Sequence, residues 1–307
     1  MMFAYLVKRL FGSAMILLGV SLITFVLLYA VPADPARQMA GRSASTETVK
    51  NIRVQLGLDQ PFYIQYKKYL TNLVHLDLGR SYLQKSEVST LIAARLPASL
   101  LLMASAISLE LLLGLTLGVI ASLRPNTKLD QSLMLVSFIG VSAPQFVVGI
   151  LLLYLFAVKL AWFPIGGYGT WEHLVLPTMT LAVLGSGWYS RMMRSSMLEV
   201  LHQDYVRTAQ AKGLSSIRVV LVHVMPNALL PIIAMVGLDV GIFMSGIVVV
   251  ESVFGWPGIG QLAWQAIQRV DIPIIMGVTL VSACAIVIGN LIADLVAPLV
   301  DPRIKLR

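Results

Sequence analysis

Residues 10–31 read LFGSAMILLGVSLITFVLLYAV, and no charged side chain falls between Arg9 and Asp34. A helix of this length, rising about 1.5 Å per residue, is long enough to cross the roughly 30 Å hydrocarbon layer of a bilayer. Lys8 and Arg9 would also suit the start of a cleaved signal peptide, but the apolar region of a signal peptide usually has only about 7 to 15 residues. We therefore expect residues 1–31 to be an uncleaved anchor span.

The rest of the chain has the same apolar character. Of its 307 residues, 57% are hydrophobic and 12% are charged, whereas soluble domains usually carry about 25% charged residues. This composition predicts an all-α integral membrane protein with six transmembrane helices. The predicted spans are 10–31, 96–123, 133–156, 176–193, 228–250 and 273–293.

Basic residues accumulate on one side of these spans. By the positive-inside rule that side is cytoplasmic, so both termini are expected in the cytoplasm. The net charge of +8 then reflects membrane orientation and not nucleic-acid binding, because the bases lie between apolar runs. The bases on the predicted cytoplasmic side are Lys8, Arg9, Arg124, Lys128, Arg191, Arg194, Arg207, Lys212, Arg218, Arg303, Lys305 and Arg307.

The long connection after the first span is predicted to be a helical extracytoplasmic cap. Residues 46–56 and 61–74 both show helical spacing of apolar residues, and the turn-like residues 57–61 separate them. The predicted organisation is an anchor at 1–31, a cap at 32–95 and a five-span permease core at 96–307.

The longest cytoplasmic connection, 197–226, is predicted to form a helix, a turn and a second helix. Asp204 is placed to cap the first helix, and Gly213 to end it in the left-handed conformation. Ser215 or Ser216 can cap the second helix, which is expected to run to Pro226. The small residues Thr208, Ala209 and Ala211 suit entry into a groove on a partner, and a plain solvated connection is the alternative.

This connection resembles the EAA loop of ABC importer permeases, which inserts a coupling helix into an ATPase subunit. Arg207, Thr208 and His223 depart from the general family pattern, but residues 204–213, DYVRTAQAKG, match the form of the dipeptide, oligopeptide, glutathione and nickel branch. Other segments of the same branch are 35–37 (PAR), 56–61 (LGLDQP), 76–79 (LDLG), 96–99 (LPAS), 140–144 (GVSAP), 251–258 (ESVFGWPG) and 301–303 (DPR).

The resemblance implies a B-type permease subunit of an importer in the bacterial inner membrane. Its implied partners are a second homologous permease, one or two ATP-hydrolysing subunits, an extracytoplasmic substrate-binding protein and the lipid bilayer. ATP and Mg belong to the ATPase partners, since the sequence has no Gly-x-x-x-x-Gly-Lys-Ser/Thr motif and this chain is not expected to be an enzyme. The residues implied to couple to the ATPase are Asp204, Tyr205, Arg207, Thr208, Ala209, Lys212, Gly213 and Pro226.

Ionisable residues inside predicted spans are candidates for a translocation path, because such groups seldom face lipid. Asp239 is placed to meet a substrate ammonium. For Asp239 and Glu110 alike, the alternative is a hydrogen bond to a neighbouring helix or to the second permease, or protonation. Pro144 is expected to bend the third span, either to line a cavity or as a packing bend. The path candidates are Glu110, Ser142, Pro144, Gln145, Asp239 and Asn290.

Three residues of segment 251–258 are external gate candidates by resemblance: Phe254, Trp256 and Pro257. An interfacial aromatic anchor is the alternative for this segment. No metal site is predicted, because the chain has one cysteine and no His-Glu-x-x-His pattern.

The predicted cargo is short peptides, carried by alternating access. Glutathione, nickel or a metal chelate remain alternatives within the same machinery. A proton-coupled secondary transporter is a further alternative, since buried carboxylates also suit proton coupling.

Overall fold

The computed structural model describes residues 2–30, 35–41 and 44–300, and regular structure in these ranges is helical apart from one isolated bridge between Arg80 and Glu87. Segment 301–303 and the predicted cytoplasmic bases Arg303, Lys305 and Arg307 lie outside the described residues. The first helices are α1 (Met2–Ala30), α2 (Pro35–Ala40), α3 (Thr46–Leu56), α4 (Phe62–Val74), α5 (Val88–Leu123), α6 (Lys128–Ser142) and α7 (Gln145–Leu152).

The chain continues from α7 into a wider π-type turn, Leu153–Lys159. A second π-type turn is Val219–Val224. The remaining helices are α8 (Trp171–Leu201), α9 (Asp204–Ala211), α10 (Ser216–Arg218), α11 (Met225–Ala228), α12 (Leu230–Gly246), α13 (Val248–Val253), α14 (Ile259–Arg269) and α15 (Ile272–Val300). The two predicted cap helices are confirmed as α3 and α4, with Pro61 as the N-cap of α4.

Three helices in the described part of the chain are long and apolar enough to cross a membrane. They contain the segments Val7–Leu28, Val88–Leu123 and Ile272–Val296, which cover the predicted first, second and sixth spans. Two bent helix pairs raise the number to as many as five if each pair forms one span. They are Lys128–Ser142 with Gln145–Lys159, at 102°, and Ser216–Ala228 with Leu230–Met244, at 48°.

The predicted fourth span lies within α8, which is not among these apolar segments. Its hydropathy is lowered by small polar residues, and Thr178, Thr180, Ser186 and Ser190 are all buried. Because these side chains are enclosed by protein, α8 does not need an apolar surface around its whole circumference.

Contacts divide the chain into two compact units. The core unit is Leu100–Trp256 with the last helix from Ala285 onward, and the cap unit is Val7–Ser99 with Pro257–Cys284. The sequence-based division into 1–31, 32–95 and 96–307 describes topology along the chain and stays a prediction.

In the core unit, α8 is the central helix and contacts α6, α7, α11, α12 and α13. Glycines allow its backbone to approach its neighbours closely, as small residues do between membrane helices. A Cβ at Gly114 or Gly118 of α5 would collide with the Cβ of Tyr189 or Met193 on α8. A Cβ at Gly187 of α8 would collide with the carbonyl of Ser137 on α6, whose hydroxyl lies 2.6 Å from that of Ser190.

An ion pair joins the start of α6 to α8. Arg194 donates from Nε to Asp130 Oδ1 at 2.6 Å and from Nη2 to Oδ2 at 2.7 Å, and the backbone N–H of Asn126 also donates to Oδ2, at 2.9 Å. The exposed fractions of the Arg194 and Asp130 side chains are 25% and 3%. The bidentate geometry fixes the orientation of both partners.

In the cap unit, the first span is joined to α4 through aromatic rings and a hydroxyl pair. Phe25 contacts the rings of Phe62, Tyr66 and Tyr69 at centroid distances of 5.3–5.8 Å. Ser21 Oγ lies 3.0 Å from the hydroxyl of Tyr66. Helix α4 therefore packs directly on α1.

We predict that Arg194→Ala destabilises the protein, because it leaves the Asp130 carboxylate buried without its partner. The expected loss is on the order of 3 kcal/mol, the lower end for a broken buried pair, since Arg194 keeps some exposure. Thermal unfolding of the full chain in detergent measures it. Arg207→Ala is the matched control, because the Arg207–Asp204 pair is exposed and 3.9 Å apart. Equal unfolding temperatures for both variants would contradict the prediction.

Candidate functional site

The coupling loop, residues 197–226, begins in the last turn of α8. Its first helix, α9, has Gln203 as its N-cap residue, and Asp204 is the first residue inside the helix. The prediction that Asp204 caps the helix was therefore wrong by one residue. The extended backbone at Gln203 starts the helix without a side-chain cap, and the Asp204 carboxylate remains in the first turn, where negative charge is favourable.

The end of α9 follows the prediction. Lys212 is the C-cap residue, and Gly213 has a φ of +78°, the left-handed conformation that glycine adopts without steric cost. Ser215, one of the two predicted caps, accepts a hydrogen bond from the Arg218 backbone at 3.4 Å and starts the second helix. The two helices are thus joined by a sharp, defined turn.

The second helix does not stop at Pro226, as had been predicted. It widens into the π-type turn Val219–Val224 and continues as α11. Pro226 lies in the first turn of α11, where the backbone N–H that proline lacks is not needed for a helical hydrogen bond. The helix then bends by 48° before α12. The coupling loop is therefore continuous with α8 before it and leads into α12 after it.

One face of α9 is buried in an apolar cluster. Val206 and Ala209 pack there with Met193 and Met197 of α8, and the cluster extends to Ile232 of α12. Ala209 thus faces its own chain, which corrects its grouping with Thr208 and Ala211 as a surface for a partner. The exposed residues of the candidate set are Asp204, Tyr205, Arg207, Thr208, Lys212, Gly213 and Pro226.

These contacts make the coupling loop a firmly held protrusion. The buried cluster ties α9 to α8 and α12, and Thr208 donates its hydroxyl to the backbone carbonyl of Asp204 at 2.9 Å. The exposed face of α9 is therefore linked by buried packing to both α8 and α12. Such an element can transmit motion without carrying out chemistry itself.

Two of the path candidates meet within the core unit. The Glu110 side chain is only 2% exposed, and its carboxylate lies against Gly185 of α8, where a Cβ would collide with it. The Tyr189 hydroxyl donates a hydrogen bond to Asp239 Oδ2. Gly185 and Tyr189 lie one turn apart on α8, so α5, α8 and α12 bring Glu110, Tyr189 and Asp239 into the same region.

Hydrogen bonding differs between the two carboxylates. Asp239 is paired with Tyr189, which matches the alternative of a bond to a neighbouring helix. Glu110 Oε2 is buried, and no partner for it lies among the described residues. Asn290 of α15 lies beside α12, with its Oδ1 3.8 Å from the position of a Cβ built on Gly237.

The expected interruption of the third span is present. Helix α6 ends at Ser142, Pro144 is the N-cap of α7, and the two helices meet at 102°. Ser142 and Pro144 are exposed, Gln145 is partly exposed, and Ser142 donates to the Phe138 carbonyl at 2.8 Å. The Ser142 hydroxyl is thus bonded within its own helix and not to Glu110 or Asp239.

Two of the gate candidates are buried. Phe254 accepts a hydrogen bond at its carbonyl from the Gly167 N–H at 2.9 Å, and Trp256 packs edge to face on Tyr168 at 4.9 Å. Pro257 is partly exposed. An interfacial anchor needs exposed rings, so the enclosed aromatic pair does not fit that alternative.

Sequence reasoning missed three participants: Tyr189, Gly185 and Asp130. Tyr189 and Gly185 lie in a stretch of small residues that gives no sign of which carboxylate they approach. Asp130 follows Thr127 at the start of a helix and looked like an ordinary first-turn acid. Charge complementarity between Asp130 and Arg194, both at predicted span ends on the same side, was the one available signal.

Comparison with known proteins identifies close relatives. Residues 114–306 match the family described as "Binding-protein-dependent transport system inner membrane component", and residues 2–103 match the corresponding N-terminal family. The chain is 42% identical to the oligopeptide transport system permease protein AppB of Bacillus subtilis, over 99% of this chain and 100% of that protein. It is 40% identical to a putative peptide transport system permease protein of Brucella melitensis, over 99% of each.

Two further similarities bear on cargo and fold. The chain is 37% identical to the glutathione transport system permease protein GsiC of Escherichia coli, over 99% of each chain. Among solved structures it resembles an inward-facing conformation of the MetNI methionine ABC transporter, with a TM-score of 0.59 and 17% identity, over 68% of this chain and 96% of that one. At that identity the likeness shows the fold alone.

Proposed function

This chain belongs to the family of binding-protein-dependent transport system inner membrane components, and on that basis we propose that it is the permease subunit of an ATP-binding-cassette importer for short peptides. The observation that carries the proposal is the 42% identity, over the whole chain, to a permease named for oligopeptide transport. Substrate crosses by alternating access, as ATP binding and hydrolysis in partner subunits switch the membrane helices between two packings.

The proposed assembly contains a second homologous permease, one or two ATPase subunits that hold ATP and Mg, and an extracytoplasmic binding protein. The chain spans the inner membrane of a bacterium six times, with both termini in the cytoplasm. Three apolar helices, two bent pairs and the enclosed helix α8 support this topology. The cap at 32–95 is the proposed receiving surface for the binding protein, and Phe254, Trp256 and Pro257 form the proposed external gate.

Glutathione is the second candidate cargo, since the chain is 37% identical to a glutathione transport permease. Glutathione is itself a short peptide with a free ammonium and carboxylates. The same path would therefore need few changes to carry it.

We predict ATP-dependent uptake of labelled short peptides by the assembled complex in proteoliposomes. Glutathione, nickel and a nickel chelate are offered in parallel, and a peptide or glutathione signal supports the proposal. The purified chain alone, given a proton gradient without ATP, should transport nothing. Uptake by the isolated chain would instead identify a secondary transporter and overturn the proposal.

We propose that the exposed face of α9 contacts the ATPase. Tyr205→Ala should lower substrate-stimulated ATP hydrolysis by at least about tenfold, as expected when an interface loses about 1.4 kcal/mol of binding, while the unfolding temperature stays unchanged. Val206→Ala is the matched control, because Val206 is buried in the chain's own cluster and its truncation should act on stability instead. Full ATPase stimulation in Tyr205→Ala would remove α9 from the contact.

We propose that Asp239 lies on the translocation path and that Glu110 supports it from the buried side. Asp239→Asn keeps an oxygen acceptor for the Tyr189 hydroxyl but removes the negative charge. Uptake of peptides with a free terminal ammonium should therefore fall several-fold, with little change for N-acetylated peptides. Glu172→Gln, in the exposed first turn of α8, is the charge-matched control. An equal loss for both classes of peptide would show that Asp239 has only a structural role.

A further inference from the structure

The cap unit contains a cavity of about 850 Å³ that the transport cycle described above does not use. Its volume lies within the roughly 300–1,000 Å³ of small-molecule binding sites. The cavity is formed by the end of α1, by α3 and α4, by the loop 77–85 and by the start of α15. All of these segments belong to one compact unit.

Membrane helices supply the apolar wall. Phe25 and Leu28 lie at the end of the apolar segment Val7–Leu28, and Ile272 and Met276 lie at the start of Ile272–Val296. Both segments are long and apolar enough to cross a membrane, and the cavity lies at one end of each. If they span a bilayer, the apolar wall lies near the level where a lipid's acyl chains meet its headgroup.

The exposed part of the lining, here called the basic rim, carries four bases and one acid. The bases are Arg53, Lys68, Arg80 and Lys85, and the acid is Asp77. The Asp77 carboxylate accepts a hydrogen bond from the backbone N–H of Gly79 at 2.8 Å, so part of its acceptor capacity is already used. The rim therefore presents an excess of positive charge, which favours an anion over a neutral or zwitterionic ligand.

Two tyrosines add neutral hydroxyl groups to the lining. Burial, together with the nearby Tyr66, raises the pKa of Tyr69 to about 12. Burial, together with the Asp271 carboxylate, raises the pKa of Tyr82 to about 12. Both hydroxyls keep their protons at neutral pH and can donate hydrogen bonds.

The basic loop is held in place by Asp271. The Asp271 carboxylate accepts a hydrogen bond from the Ser81 hydroxyl at 2.5 Å and from the Tyr82 and Leu83 N–H groups at 3.3 Å each. Arg80 donates from Nε to the carbonyl of Lys85 at 2.7 Å, which keeps the two basic residues together. The bases are thus presented by a fixed segment, which lowers the entropy lost on binding.

We propose that this cavity binds an anionic phospholipid, with its phosphate at the basic rim and an acyl chain against the apolar wall. A ligand with both an anionic head and an apolar chain matches the basic rim and the apolar wall at once. The bound lipid would fill the space between the cap and the ends of the first and last spans. This inference rests on those helices spanning a membrane and is independent of the cargo.

The test uses the full chain with its co-purifying subunits, transferred to phosphatidylcholine nanodiscs that contain phosphatidylglycerol. Native mass spectrometry then measures how much phosphatidylglycerol stays bound. Lys68→Gln and Lys85→Gln should each lower the bound fraction by about fivefold. Ile64→Trp, which places a larger side chain in the cavity wall, should lower it without a change of charge.

Matched controls lie beside each position. Lys67→Gln and Tyr63→Trp alter exposed residues that do not line the cavity, and both should retain lipid like the wild type. Retention unchanged in all three cavity variants would overturn the proposal. Displacement of the lipid by inorganic phosphate alone would identify a phosphate site. Displacement by short peptides would identify a substrate site. Either result would also overturn the proposal of a lipid site.

Discussion

The structure depends on the close approach of α8 to its neighbours. In a membrane the apolar surfaces of helices gain little from leaving lipid, so association relies on contact between backbones and on buried polar pairs. Gly114, Gly118 and Gly187 bring α5 and α6 against α8, and Ser137 with Ser190 adds a polar pair in the same contact. Because α8 is enclosed in this way, it can carry buried threonines and serines and still lie among membrane helices.

The same helix organises the candidate functional groups. Toward the coupling loop, the Arg194–Asp130 pair and the methionines Met193 and Met197 hold α6 and α9 to α8. Further along, α8 places Tyr189 on Asp239 and leaves room at Gly185 for Glu110. Helix α8 therefore contacts the coupling loop and the buried carboxylates together, and this shared contact supports the proposed coupling between them.

The cap unit is held together by other kinds of interaction. Aromatic rings on α4 pack on Phe25 of the first span, and the Asp271 carboxylate fixes the loop that follows α4. These are aromatic and polar contacts, unlike the close backbone approaches around α8. The same unit contains a cavity lined by apolar residues and by four bases.

The sequence by itself determined those features that depend only on residues close together in the chain. Charge-free runs identify apolar spans, Gly213 ends α9 because glycine adopts a positive φ without strain, and Pro144 breaks the third span. Residues 204–213 identified the family. Only the tertiary structure decided that Ala209 faces inward, that the helix passes through Pro226, that Phe254 and Trp256 are buried, and that Tyr189 pairs with Asp239. Each of these depends on which residues of distant segments meet, and helical spacing fixes a residue's direction on its own helix but not the neighbour it faces.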